Sequence, residues 1–329
     1  MCVDALFCKS FVFLIAMKKI ILCIALFLCS LAFAQNPVLE IENTVRGKRA
    51  SVGVAVIYKD QVFTVKNEGK YPIMSVFKFH IAVAALKKME NDGIALESKV
   101  FIEPKQMQKD TWSPMLKKYP FGRIHVSYAE ILEYTISHSD NNTCNWLIDF
   151  VGGIGEVDSF VKSLGIDAFS LSETERSMGM DIYKTYNNWS TPLSMSKFLR
   201  KVYEGNVLSE KHFLFLERAM LNSSSGKDKL KAGLPEFVPI AHKTGHSCRT
   251  PRGVRMCDAD AGVIYLPNGE KCYITVFIKD SLESDDDNAK IIADIAKITY
   301  EFLKNRQSCG IGAARNCDNS LRIKSSENK

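Results

Sequence analysis

Three short polar stretches carry residue types able to run acyl transfer on a reactive carbonyl. Ser75-Val76-Phe77-Lys78 places a hydroxyl and an amine three residues apart at the head of an apolar segment. If that segment is helical, the two side chains share one face. A serine hydroxyl is a weak nucleophile until a neighbouring base takes its proton. The lysine supplies a positive charge, or a base if its pKa is lowered. The helix N-terminus adds partial positive charge beside a forming oxyanion. Ser139-Asp140-Asn141 falls at a break between two helical patterns, where it also reads as an N-cap turn. Lys243-Thr244-Gly245 lies in an apolar, strand-like run, where it also reads as a strand end. Taken singly, each triplet has an ordinary structural meaning, and S-x-x-K recurs by chance as a solvated helix start. Taken together and in this order, they point to a serine nucleophile served by two lysines.

The elements that must bring these stretches together can be read from periodicity. Residues 51–58 and 61–66 read as strands joined at Lys59-Asp60. Residues 75–89 read as a helix with Phe79, Ala82, Val83 and Leu86 on one face. Further helices are expected over 127–135, 143–150 and 154–164, with Gly152-Gly153 ending the second of them. Residues 169–190 are polar and irregular, and a loop of that length is usually functional or disordered. Thr191-Pro192 opens a helix running to about 203. Residues 238–245, 260–266 and 272–279 are strand-like, with a hairpin turn at Pro267-Asn268-Gly269. A helix over 289–303, with Ile291, Ile295, Ile298 and Phe302 on one face, closes the pattern. Strands at both ends with helices between predict an α/β (α+β) fold. Its antiparallel five-stranded sheet, flanked by helices, is built from about 35–75 and 215–307, with an all-α subdomain inserted over about 76–214. Residues 308–329 are polar and read as a tail.

Composition narrows the class. The 329 residues are 46% hydrophobic and 24% charged, as in a water-soluble globular protein. A net charge of +6, with no basic stretch interleaved with aromatics, gives nucleic-acid binding no support. Residues 1–34 read as an export signal: Lys18-Lys19, an apolar run over 20–28, then Ala32-Phe33-Ala34 before Gln35. Met17 reads as the natural start. The run is short for a membrane span, although a retained anchor is the alternative. Leu28 is too large for a lipidation signal at Cys29. Export implies the periplasm and permits disulfides. Of ten cysteines, Cys248–Cys257 and Cys309–Cys317 are the sequence-local pairing candidates, while Cys144 and Cys272 read as buried thiols. The six histidines show no ligand spacing, so neither a metal nor another cofactor is expected.

On these three triplets the chain resembles class A β-lactamases and, more distantly, penicillin-binding proteins, over about residues 40–305. Trp112-Ser113-Pro114, Gly152-Gly153 and Leu266-Pro267-Asn268-Gly269 fit the same layout. His242-Lys243-Thr244-Gly245 and Phe277-Ile278-Lys279-Asp280-Ser281 resemble a divergent, extended-loop branch, several of whose members prefer cephalosporins. The resemblance implies a monomeric, periplasmic hydrolase of small-molecule β-lactams, with no stable membrane partner. Ser75 would attack the lactam carbonyl, with Lys78, or Glu175 through water, accepting its proton. The backbone N–H groups of Ser75 and His246 would form the oxyanion hole. Ser139 would relay a proton to the leaving nitrogen, tuned by Lys243. Asn141 would orient the substrate's side-chain amide, Thr244 would contact the substrate's carboxylate, Gly245 would line the strand, and Trp112 would wall the cleft mouth. Trp112 also reads as a plain surface aromatic.

The deacylation base separates a hydrolase from a transpeptidase. Glu173 and Glu175 compete for that role. Counting back from Pro192, and matching Glu175-Arg176-Ser177-Met178 to the family's Glu-x-x-Leu, selects Glu175. The family's following Asn is Gly179 here, so the hydrolytic water must be held differently. The usual substrate-carboxylate arginine is replaced by about Ala261, and Lys229 is the candidate cation in its place. A D,D-peptidase and a non-catalytic β-lactam sensor of the same fold are the alternative readings.

Overall fold

Tyr58 at one end of the chain faces Cys272 near the other, because the first and last long strands are neighbours in one sheet. The computed structural model describes residues 37–323, with side chains as far as 306. The signal expected over 1–34 and the side chains of Cys309 and Cys317 therefore lie outside the described residues. The elements begin with α1 (Pro37–Val45), β1 (Ser51–Tyr58), β2 (Gln61–Val65), β3 (Tyr71–Pro72) and α2 (Phe77–Asp92). Next come β4 (Lys99–Ile102), α3 (Pro114–Lys118), β5 (Ile124–Ser127), α4 (Tyr128–Ser137), α5 (Asn141–Val151) and α6 (Ile154–Ser163). After β6 (Phe169–Ser170), α7 (Glu175–Met180) and β7 (Trp189–Ser190) lie α8 (Pro192–Glu204) and α9 (Glu210–Leu221). The chain closes with β8 (Ile240–His246), β9 (Arg255–Tyr265), β10 (Lys271–Ser281) and α10 (Asp285–Ile323).

The main sheet runs β2-β1-β10-β9-β8, antiparallel throughout, as the strand pattern predicts. Its inner strands lack polar alternation: β9 is buried from Arg255 to Ile264. A strand reads this way when both faces are covered. On one face Ser196 of α8 hydrogen-bonds Thr275 of β10 (2.8 Å) and the carbonyl of Ala55 in β1 (3.2 Å).

The helical part departs from its sequence pattern in an informative way. Helix α2 was expected to bury one face, yet everything from Phe77 to Leu86 is buried, including Lys78 and His80. It is an interior helix surrounded by α4, α5 and α6. Residues 169–190 are not irregular either. They hold β6, α7, a 3₁₀ turn at Ile182–Asn187 and β7, with β6 and β7 pairing to close the neck. Short-range caps make this possible: Thr174 Oγ1 accepts from Ser177 N (3.1 Å) and Ser177 Oγ from Thr174 N (2.9 Å). The backbone of α10 runs on through residues expected as a tail, as far as Ile323. No proline follows Pro267, and single glycines weaken a helix by only about 1 kcal/mol each.

The expected Cys248–Cys257 bridge is absent, and both thiols are free. The hairpin register explains why. Ser247, not Cys248, lies opposite Cys257, with Ser247 N donating to Cys257 O (3.0 Å). Cys257 Sγ points inward to the carbonyl of Pro72 (2.9 Å), whereas Cys248 is exposed. Cys144 and Cys272 are buried thiols, as expected.

His80 sits inside α2 against Phe198 and Phe169, with ring centroids 4.7 Å and 5.6 Å away. Its Nδ1 is buried without a partner. Burial pushes its pKa down to about 3, opposed by the backbone of Val76 and the charge of Asp158. The unfolded chain binds this proton near pH 6.5, so stability is complete above that pH and declines as pH falls toward 3. The melting temperature should therefore drop steeply between pH 6.5 and pH 4 in the native chain and less in His80→Leu. Parallel melting curves for the two proteins would refute this origin.

Candidate active site

The site is assembled where α2, the α4–α5 turn, the neck-closed loop carrying α7, and strand β8 meet. Ser75 lies in the 3₁₀ turn Met74–Val76 that leads into α2. Met74 has a left-handed backbone (φ 37°), a strained conformation for a non-glycine residue. That geometry lets β8 pass directly against the segment before Ser75. A Cβ at Gly245 would lie 2.4 Å from the carbonyl oxygen of Ile73, so only glycine fits there.

Lys78 and Lys243 are both completely buried. Buried charge is tolerated only when paired and hydrogen-bonded. Lys78 Nζ donates to Ser139 O (2.7 Å) and Asn141 Oδ1 (2.6 Å), and pairs with Glu175 Oε1 (2.9 Å). Ser75 Oγ donates to the same Glu175 Oε1 (3.3 Å). Lys243 Nζ donates to Ser139 Oγ (2.9 Å) and to Thr244 O (3.1 Å). Ser139, itself in the left-handed region (φ 55°), thus bridges the two lysines, with Lys78 Nζ 3.4 Å from its Oγ. Burial drives the Lys243 pKa down to about 7, reinforced by the charge of Lys78 and opposed by Asp260 and Glu175.

The two competing glutamates have different partners. Glu175 is the first residue of α7 and is almost fully buried beside Ser75 and Lys78. Glu173, half-buried, accepts from Asn187 Nδ2 (2.9 Å) and pairs with Lys184 (3.3 Å). Burial would raise the Glu173 pKa, but hydrogen bonds from Ser177, Asn187 and Lys184 lower it. No residue occupies the space a Cβ would take at Gly179.

Two of the supporting residues, Asn188 and Asn145, carried no sequence signal of their own. Asn188 is fully buried; its Oδ1 accepts from Ser172 N (2.8 Å) and Glu173 N (2.9 Å), and its own carbonyl accepts from Ile73 N (3.1 Å). One asparagine thereby ties the loop of Glu175 to the approach of Ser75. Asn145 on α5 accepts from Arg176 N (3.3 Å). Asp140 caps α5 at Thr143 N (3.0 Å) and holds Ser113 Oγ and Met115 N (both 2.8 Å), which makes it a strut. Asn188 and Asn145 are isolated polar residues, and a single Asn has no periodicity to announce it, whereas Asp140 is the N-cap offered by the Ser139-Asp140-Asn141 turn.

Of the residues expected to contact substrate, Asn141 donates through Nδ2 to Thr111 Oγ1 (2.9 Å). Thr244 Oγ1 lies 2.8 Å from Ser225 Oγ. Trp112 is 56% exposed, held through Nε1 to the carbonyl of His138 (3.0 Å), with Lys117 Nζ 4.6 Å from a ring centroid. Lys229 is buried and paired to Asp258, a partner unforeseen in the sequence. The half-exposed His246 ring lies on the same carboxylate, Nδ1 to Oδ1 3.4 Å. Ala261 stands opposite Lys243 in the sheet and offers no cation. Among the described residues no cluster of His, Cys, Asp or Glu has the makings of a metal site. None of their helices is long and apolar enough to cross a membrane.

Comparison with known proteins places the chain among relatives of one family. A model of the beta-lactamase enzyme family matches residues 36–303. A beta-lactamase of Bacteroides uniformis is 41% identical over 267 residues, covering 80% of this chain and 90% of its own length. Beta-lactamase VEB-1 of Pseudomonas aeruginosa is 36% identical over 300 residues, covering 88% and 100%. A class A beta-lactamase from Bacteroides cellulosilyticus superposes with a TM-score of 0.80 at 43% identity, covering 82% of this chain and 99% of that one. TLA-1 extended-spectrum beta-lactamase gives a TM-score of 0.80 at 37% identity, covering 81% and 98%.

The lowered pKa of Lys243 means an ammonium below about pH 7 and a neutral amine above it. In protein with labelled lysine side chains, one ε-resonance should titrate near pH 7 and vanish in Lys243→Arg. A spectrum in which every lysine titrates near 10 would refute the assignment.

Proposed function

The chain belongs to the class A β-lactamase family, and we propose that it opens β-lactam rings through an acyl-enzyme on Ser75 released by water that Glu175 activates. The carrying observation is that one carboxylate, Glu175, meets both Ser75 Oγ (3.3 Å) and Lys78 Nζ (2.9 Å). As Ser75 attacks, its proton passes to Glu175, directly or through water. Lys78 is the weaker candidate base, since its amine already donates to Ser139, Asn141 and Glu175. The developing oxyanion is held by the N–H groups of Ser75 and His246. Ser139, flanked by both lysines, passes a proton to the leaving nitrogen and is recharged from Lys243. The same Glu175 then draws a proton from water as that water attacks the ester, which suits a loop clamped at its neck by Asn188.

At the substrate's other end, Thr244 receives its carboxylate, with Lys229 held behind it by Asp258 rather than free as the direct cation; Asn141 takes the side-chain amide, and Trp112 walls the opening. Gly245 lets β8 lie flat beside the bound ring. With Gly179 leaving space beside α7, backbone groups of the loop hold the water that an asparagine side chain holds elsewhere in the family. Cephalosporins are the expected preferred class. On this reading residues 1–34 export one catalytic domain, 35–307, to the periplasm, where it acts as a monomer.

Purified protein should turn over nitrocefin catalytically, and Ser75→Ala should not. Glu175→Gln should slow deacylation by about a hundredfold or more, so that intact mass spectrometry finds the acyl adduct accumulating. A single stoichiometric burst from the native chain would instead favour the D,D-peptidase or sensor reading.

A further inference from the structure

The hairpin between β8 and β9 carries an arrangement the catalytic scheme does not use. Ser247 directly follows His246, and all its polar groups are engaged. Its N donates to Cys257 O (3.0 Å), its Oγ accepts from Cys257 N (2.9 Å), and its carbonyl accepts from Arg255 Nη1. Arg255 is nearly buried. The rest of its guanidinium grips Asp285 in a two-pronged contact, Nη2 to Oδ2 2.5 Å and Nε to Oδ1 3.2 Å. Asp285 is the first residue of α10. The same carboxylate takes Arg249 Nη2 (2.5 Å) from the other limb of the hairpin, and Arg249 also reaches the carbonyls of Gly253 (2.8 Å) and Glu283 (2.7 Å). No disulfide braces this hairpin.

We propose that Asp285, acting through Arg255, is a positioning residue that fixes the end of β8 so that the His246 N–H faces the carbonyl attacked by Ser75. The inference rests on the functional reading above. Its physical basis is the tolerance of such a site. Misplacing a reacting group by about 1 Å costs on the order of a hundredfold in rate. β8 already touches the Ile73 backbone at Gly245, so a shift of its end changes the spacing between the two oxyanion donors. A two-pronged arginine–carboxylate contact fixes direction as well as distance. Removing Asp285 would leave the Arg255 charge buried and unpaired, and it would move to find water. Hydrogen bonds from Arg255, then Arg249, hold the Asp285 carboxyl down to about 2, so the clamp stays ionised throughout any ordinary assay range.

The test uses the full chain. In a Glu175→Gln background, the acyl-enzyme's ester carbonyl stretch is read by infrared difference spectroscopy with and without Asp285→Asn or Arg255→Lys. The expected result is a shift to higher frequency or a split band. With Glu175 intact, nitrocefin kcat/KM should fall about tenfold, short of the hundredfold typical when such a donor is deleted. Asp285→Glu should restore both readouts. An unshifted single band, with activity within twofold of the native chain in Arg255→Lys, would overturn the proposal. So would an Asp285→Glu protein as impaired as Asp285→Asn. Failure of the Glu175→Gln protein to form any acyl-enzyme would instead overturn the functional reading, and the clamp's role with it.

Discussion

Two lysine ammonium groups sealed from water, Lys78 and Lys243, set the terms for the rest of this molecule. Each would be unaffordable in the interior without oxygen partners, and they repel one another. The fold answers by converging every nearby acceptor on them. Ser139 contributes both its carbonyl and its hydroxyl, Asn141 its amide oxygen and Glu175 its carboxylate. The left-handed backbone at Ser139 is what lets one residue serve both cations. The groups that neutralise the buried charge are thus the groups assigned to move protons. Stability and chemistry draw on one network, and substitutions there are expected to disturb both.

The scaffolding works by making short polar struts converge on the same few ångströms. α2 is buried on all sides from Phe77 to Leu86, so its register cannot slide, and Lys78 rides on it as a fixed post. Asp140 caps α5 while holding the segment before α3. Asn188 closes the loop of Glu175 and, through its carbonyl, bonds the segment leading to Ser75. Buried hydrogen-bonded amides of this kind specify one arrangement because leaving them unpaired is costly. At the far side of the cleft, β8 is squeezed against Ile73, a contact that only Gly245 permits.

Charge on the outer edge of β8 is handled differently. Asp258 pairs with Lys229 and also meets His246, while Asp260 meets His242 at 3.0 Å. Alternate positions of β9 thereby present carboxylates to one face, opposite the alternate residues of β8. Burial would raise the Asp258 pKa, but the bond from His246 and the charge of Lys229 hold it below its ordinary value. The edge that receives an anionic substrate in the proposed mechanism is therefore a compensated set of charges.

The amino-acid sequence on its own determined the chemistry's cast and the broad architecture. Spacing within Ser75–Lys78, the helix break at Ser139-Asp140-Asn141 and the strand context of Lys243-Thr244-Gly245 are local properties, as are the alternating and 3.6-residue patterns that made the sheet legible from both ends. The choice of Glu175 over Glu173 was legible only through resemblance; in the fold Glu175 meets Ser75 and Lys78, whereas Glu173 meets Asn187 and Lys184. Tertiary structure alone decided the rest. Whether Cys248 could meet Cys257 depended on a hairpin register one residue away from pairing them. The burial of all faces of α2, the commitment of Lys229 to Asp258, and the gathering of Arg249 and Arg255 on Asp285 all join residues distant in the chain. Such contacts are chosen by which surfaces meet and which buried charges find partners, and no local pattern encodes them.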